Sequence, residues 1–157
     1  MIYESLLAAL RLQRDAQRHL SPDWAKTLSG MSLLNEHATI HIGLHRQSGH
    51  STALRKLADL TITDTDLMEY GLPIIIGRRH DQLRQQYPGH AIYTRDHVTS
   101  STSTYAGAFR DQDRGLVLVD GTFDWNPGSL NEFKHDVARM AASRLTAGRP
   151  FSLIMVQ

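Results

Sequence analysis

The chain contains no cysteine. This excludes disulfides, zinc–thiolate sites and a cysteine nucleophile, and it fits a reducing cytoplasm. Charge of one sign is also lacking. Lys and Arg number 17 against 16 Asp and Glu, leaving +1 with histidine neutral. With no polybasic block, composition gives no general argument for nucleic acid or a membrane surface. Long apolar runs are missing as well, so no stretch is suited to crossing a bilayer. The opening MIYESLLAALRLQRDAQRHL has neither the basic start nor the extended apolar run of a secretory signal. A cytoplasmic protein without a membrane partner is therefore expected. There is no internal repeat, no low-complexity tract and no linker that would divide the chain.

What remains is ordinary globular material: 157 residues, 41% hydrophobic and 21% charged. That length suggests a single domain spanning 1–157, able to bury a core without staples. Histidine is plentiful, at nine residues, so surface charge should vary around neutral pH.

The apolar pattern predicts an α/β protein. Leu6, Leu7, Leu10 and Leu12 mark an amphipathic helix over 2–19. Ser21-Pro22 reads as a cap and restart, opening a second helix to about Asn35. Residues 1–35 thus form a helical extension ahead of a core over 38–157. In the core, strands are expected near 39–43, 73–77, 91–94, 116–120 and 151–156. Helices are expected over Ser51–Asp59, Arg79–Gln86 and Leu130–Leu145, and an exposed loop over 99–115. Near-continuous apolar runs such as LVLV and SLIMV suit a mainly parallel sheet flanked by helices on both faces.

Two segments carry possible chemistry. Ile40 to Leu57 reads IHIGLHRQSGHSTALRKL, a strand, a polar loop and a helix. Gly115 to Asp120 reads GLVLVD, an apolar strand ending in a carboxylate. Together they resemble the Walker A and Walker B segments of P-loop NTPases, whose loop pattern is G-x-x-x-x-G-K-[ST]. Gly49 matches the second glycine, Ser51 the hydroxyl residue and Thr52 a frequent following threonine. Leu44 stands where the first glycine would be, and His50 stands where the lysine would be. The run Arg46-Gln47-Ser48-Gly49-His50 resembles the Arg-Gln-x-Gly-Lys loop of the helicase-like and terminase-like ATPase branch.

The resemblance covers about residues 38–157 and implies a P-loop NTPase-like fold, with the 151–156 strand between the 39–43 and 116–120 strands. It implies a nucleotide such as ATP, held by Arg46, Ser48, Gly49, His50, Ser51 and Thr52, with Gln157 at the end of the last strand. Mg²⁺ would sit on Ser51 and Asp120. In the resembled branch a catalytic Glu follows the Walker B Asp. Here Gly121 follows, and Asp124 is the nearest substitute, so Asp120 and Asp124 are the catalytic candidates. An imidazole is shorter than lysine and ordinarily neutral above about pH 6.5. Slow or absent hydrolysis is therefore expected, at most a weak ATPase. The alternatives are an interaction protein that keeps the fold without binding nucleotide, acting on a host or viral machine, and a working small ATPase or DNA-associated motor. A protein partner, a homo-oligomer or nucleic acid would be compatible with these readings.

Competing patterns are weaker. His37, His41 and His45 recur every four residues and would share a face on a helix. The alternation around Thr39–Ile42 is strand-like and separates them, leaving ordinary polar positions. Arg78, Arg79 and His80 follow a predicted strand and could contact phosphate or simply be solvated. Arg110 and Arg114 flank the 116–120 strand in a loop and could act on a neighbour's nucleotide in an oligomer, though an exposed charge is the plainer reading. There is no G-x-S-x-G elbow and no G-x-G-x-x-G, so serine hydrolase and dinucleotide readings lack support.

Overall fold

The computed structural model describes residues 2–43, 49–94, 114–121 and 126–156. Its five strands form one sheet: β1 (Thr39–Ile42), β2 (Ile74–Gly77), β3 (Ala91–Thr94), β4 (Leu116–Asp120) and β5 (Ser152–Val156). All neighbours pair in parallel, in the order β1-β5-β4-β2-β3. The expected strands are therefore present within a residue of their predicted bounds. The last strand lies between β1 and β4.

Alternate residues of the central strands face opposite layers. Val117, Val119, Leu153 and Met155 meet helices α2 (Pro22–Ala25), α3 (Gly30–Leu33) and α6 (Pro127–Thr146). Leu116, Leu118, Ile154 and Val156 meet α1 (Ile2–Arg18), α4 (His50–Thr63) and α5 (His80–Gln86). The fold is α/β, a parallel sheet flanked by helices. Among the described residues, no helix is long and apolar enough to cross a membrane.

Residues 1–35 contribute to both layers. Leu6 and Leu10 of α1 are buried beside Leu54 and Leu57 of α4. Ala25 and Leu33 lie under α6 on the other face. Gln17 ties α1 to the sheet: its Nε2 donates to the carbonyls of Phe151 (2.6 Å) and His37 (2.8 Å), and its Oε1 accepts from the Phe151 N–H at 3.1 Å. A glutamine side chain here does the work of a neighbouring strand.

Among the described residues the structure differs from expectation in several places, the helix expected from Leu130 beginning already at Pro127. The single helix expected over 22–35 is two short helices and a π-helical turn over Leu34–Ala38. Ser29 ends the first segment by capping the next, its side chain accepting from the Ser32 N–H. β2 begins at Ile74, since Pro73 has no N–H to give a ladder. Helix α4 runs on to Thr63, because Thr61 on its inner face is buried. The loop expected over 99–115 lies outside the described residues except for Arg114 and Gly115.

Burial separates two leucines of α1 only two positions apart. Leu10 is fully buried, whereas Leu12 is 73% exposed. Leu10→Ala is expected to cost about 2–5 kcal/mol by loss of contacts and a residual cavity. Leu12→Ala should stay within about 0.5 kcal/mol of wild type. Urea unfolding of both variants checks that α1 belongs to the cooperative core; equal, small effects would show that it does not.

Candidate functional site

The sheet register brings the two motif segments to one edge. Ile42 of β1 and Asp120 of β4 both align with Val156 of β5. The C-terminal ends of these three strands therefore stand level. In open α/β sheets this is the edge where ligands bind. The chain leaves β1 there and returns as α4, entering through Gly49 at φ 76. Among the described residues, an added Cβ at Gly49 would meet nothing within 4 Å. Glycine is favoured there by the left-handed backbone.

Helix α4 has no side-chain cap. Its first intrahelical bond runs from the Ala53 N–H to the Gly49 carbonyl at 3.1 Å. The first turn of a helix points N–H groups beyond its end and carries a partial positive charge, which favours an anion.

Asp120 is the centre of the site. Its side chain is 8% exposed. Ser51 Oγ donates to Asp120 Oδ2 at 2.8 Å. Tyr87 Oη donates to the same oxygen at 2.8 Å. His50 Nε2 lies 2.9 Å from Oδ1, and its ring is 25% exposed. Burial pushes the Tyr87 phenol upward, and the Asp120 charge adds to this by opposing a second anion beside it. Tyr87 is therefore a permanent donor.

Gly49, His50, Ser51 and Asp120 thus come together. Thr52 follows on α4 with its side chain exposed. Arg46, Ser48, Asp124 and Gln157 lie outside the described residues. Tyr87 was missed by sequence reasoning. Its spacing of four from Leu83, with both buried, marks an inward stripe on α5. Nothing in the spacing says that the stripe ends against Asp120.

A divalent cation would find hard oxygen donors in Ser51 and Asp120, the chemistry Mg²⁺ prefers. Yet both carboxylate oxygens already accept hydrogen bonds from the chain. As arranged, the residues do not fit a cation there. Among the described residues, no group of three or more His, Cys, Asp or Glu is placed to hold a metal. His37 packs edge-on against Trp24 instead, at 5.6 Å between ring centroids, and His45 lies outside the described residues.

Gly121 follows Asp120 with φ 95. The position that carries a glutamate in the resembled branch is here a left-handed turn, where a residue with a Cβ is strained. Arg78, Arg79 and His80 stand at the same sheet edge, one strand from Asp120, with Arg79 paired to Asp81 at 3.0 Å. Arg114 lies at the opposite end of β4, where it bridges Gly71 and donates to the Pro73 carbonyl at 3.4 Å. Arg110 lies outside the described residues.

No family model, no curated protein and no solved structure matches the chain. Among the described residues, two phenols resist ionisation: Tyr87, and Tyr70, which burial pushes up to about 12. A folded pKa above the unfolded value means that stability is lost as pH rises past about 10, the ordinary tyrosine value. Absorbance titration at 295 nm should show a late step above the ordinary tyrosine value, and Tyr87→Phe should reduce it. A Tyr87 that ionises near the ordinary value would contradict the buried contact to Asp120.

Proposed function

We propose that the chain is a degenerate P-loop nucleotide-binding protein whose turn between β1 and α4 takes a phosphate group, with slow or absent hydrolysis. The observation that carries this reading is the 2.8 Å hydrogen bond from Ser51 to Asp120. It joins the first turn of α4 to the end of β4 across β5, at the ligand-binding edge of a parallel sheet. The order of β1, β5 and β4 is the one the resemblance implies. Gly49 and the uncapped helix start supply the backbone part of an anion site.

Two features argue for slow turnover. Phosphoryl transfer depends on positioning and on charge placed around the transferred group. His50 replaces a long permanent cation and is turned toward Asp120. Gly121 supplies no carboxylate to polarise water. A second reading, an interaction protein without a nucleotide, is favoured by one observation: Asp120 is satisfied by the chain's own three donors.

A thermal-shift titration with ATP, ADP and GTP separates these readings. Ligand at about a hundred times Kd adds about 2.7 kcal/mol. For a chain of this size, each kcal/mol raises Tm by about 2–4 °C. The nucleotide reading expects such a rise, and it expects His50→Lys to tighten binding at pH 8 by about tenfold, one charge-assisted contact. Phosphate release should stay well below about 1 s⁻¹ in both proteins, the low end for working enzymes. No shift with any nucleotide, in wild type or variant, transfers the assignment to the interaction protein.

A further inference from the structure

A carboxylate that orients a hydrated Mg²⁺ must turn lone pairs toward the metal or its waters. An aspartate offers about four acceptor positions on two oxygens. In Asp120 three are taken by side chains of the same chain, from Ser51, Tyr87 and His50, and the group is 8% exposed. Mg²⁺ loses its waters reluctantly and needs near-octahedral geometry, which a carboxylate already holding three contacts suits poorly. Of the three partners Tyr87 is buried, while Ser51 and His50 are partly exposed, the His50 ring at 25%. Imidazole donates from Nε2 both as the Nε2–H tautomer and as imidazolium. The contact therefore needs that tautomer and no change of charge.

We propose that His50 takes the place of a divalent cation on Asp120, so that the site binds its ligand's phosphate as a metal-free anion and excludes Mg²⁺ while the ring is seated. The ligand class is a nucleotide or related phosphate without a chelated cation. Asp120 is then a positioning residue. Through Ser51 and His50 it fixes the first turn of α4, and through Tyr87 it fixes the end of α5. The anion half rests on the nucleotide reading above; the cation half stands on the Asp120 contacts alone.

The cation half is tested without nucleotide. Mn²⁺ is titrated into the ¹⁵N-labelled full chain, and paramagnetic broadening of the Ser51, Asp120 and Gly121 amides is followed. Wild type should show no selective broadening there. His50→Ala should show it at about tenfold lower Mn²⁺ than any general broadening, the gain expected for uncovering one carboxylate oxygen. His50→Gln, which keeps a donor at similar reach, should behave as wild type. Tyr87→Phe leaves the His50 ring seated and should behave as wild type; His50→Ser, too short to reach Oδ1, should admit Mn²⁺ and decides the matter if His50→Ala does not fold. Selective broadening in wild type equal to that in His50→Ala overturns the proposal. So does an absence of broadening in every folded variant.

The anion half is tested by calorimetry of ADP with the wild-type chain, in EDTA and in excess Mg²⁺. Binding should be weaker in excess Mg²⁺ than in EDTA, because Mg²⁺ chelates ADP and withdraws the metal-free anion that the site takes. A requirement for Mg²⁺ overturns the anion half. Absence of ADP binding in both buffers removes the nucleotide reading and the anion half with it, and the Mn²⁺ result still decides the cation half.

Discussion

The structure depends on burying β4 and β5 on both faces. From Leu116 to Val119 and from Ser152 to Val156 every residue is buried. A strand with apolar groups on both sides needs a helical layer above and below. One long helix, α6, with the short α2 and α3, closes one side. The other side is closed by α1 and α4 together. Without α1, the apolar face of α4 and the entrance to β5 would lack their partners, Leu6, Leu10 and Gln17 among them. The N-terminal segment is therefore a structural member of the sheet's cover.

The parts legible in the sequence were those written in periodicity. LVLV and SLIMV announce buried strands, and the spacing of Leu54, Leu57 and Ala58 announces the inner face of α4. The place of β5 beside β1 was not written there; it came from the resemblance of GLVLVD and the QSGHST turn to a known arrangement. What could not be read were features decided by tertiary contacts. Gln17 looks like a surface residue of an amphipathic helix, yet it is buried and pairs with Phe151. Arg144 looks like a solvated helix end, yet its guanidinium is buried. It donates to the carbonyls of Pro150 and Glu69 at 2.8 and 2.7 Å. A Cβ on Gly115 would lie 2.7 Å from it. Such polar groups enter the core because backbone carbonyls at strand entrances need donors, and no single-residue pattern signals that need.

The candidate site was legible in the same partial way. Glycine, hydroxyl and carboxylate could be placed from their spacing, and they do meet. The direction of His50 could not. A motif fixes where a residue attaches, while its rotamer follows the nearest unsatisfied partner. Here that partner is a carboxylate shielded from water, which costs free energy unless it is hydrogen-bonded. Tyr87 arrives from α5 for the same reason. The three contacts on Asp120 join α4, the end of α5 and β4 at one edge.

This arrangement also explains why the departures from the resembled pattern belong together. A lysine at position 50 would carry its charge outward to a phosphate and leave Asp120 needing another partner. A cation could fill that need. A glutamate at position 121 would then have a hydrated metal and a bound phosphate to act upon. In this chain His50 satisfies Asp120 internally, and Gly121 turns at φ 95, a conformation that disfavours glutamate by its backbone alone. Restoring one residue does not restore the other's setting. Lysine at position 50 leaves the turn without a carboxylate, and glutamate at position 121 strains a turn that faces no metal. On the proposed nucleotide reading, positions 50 and 121 flank the same carboxylate, and active hydrolysis would call for changes at both.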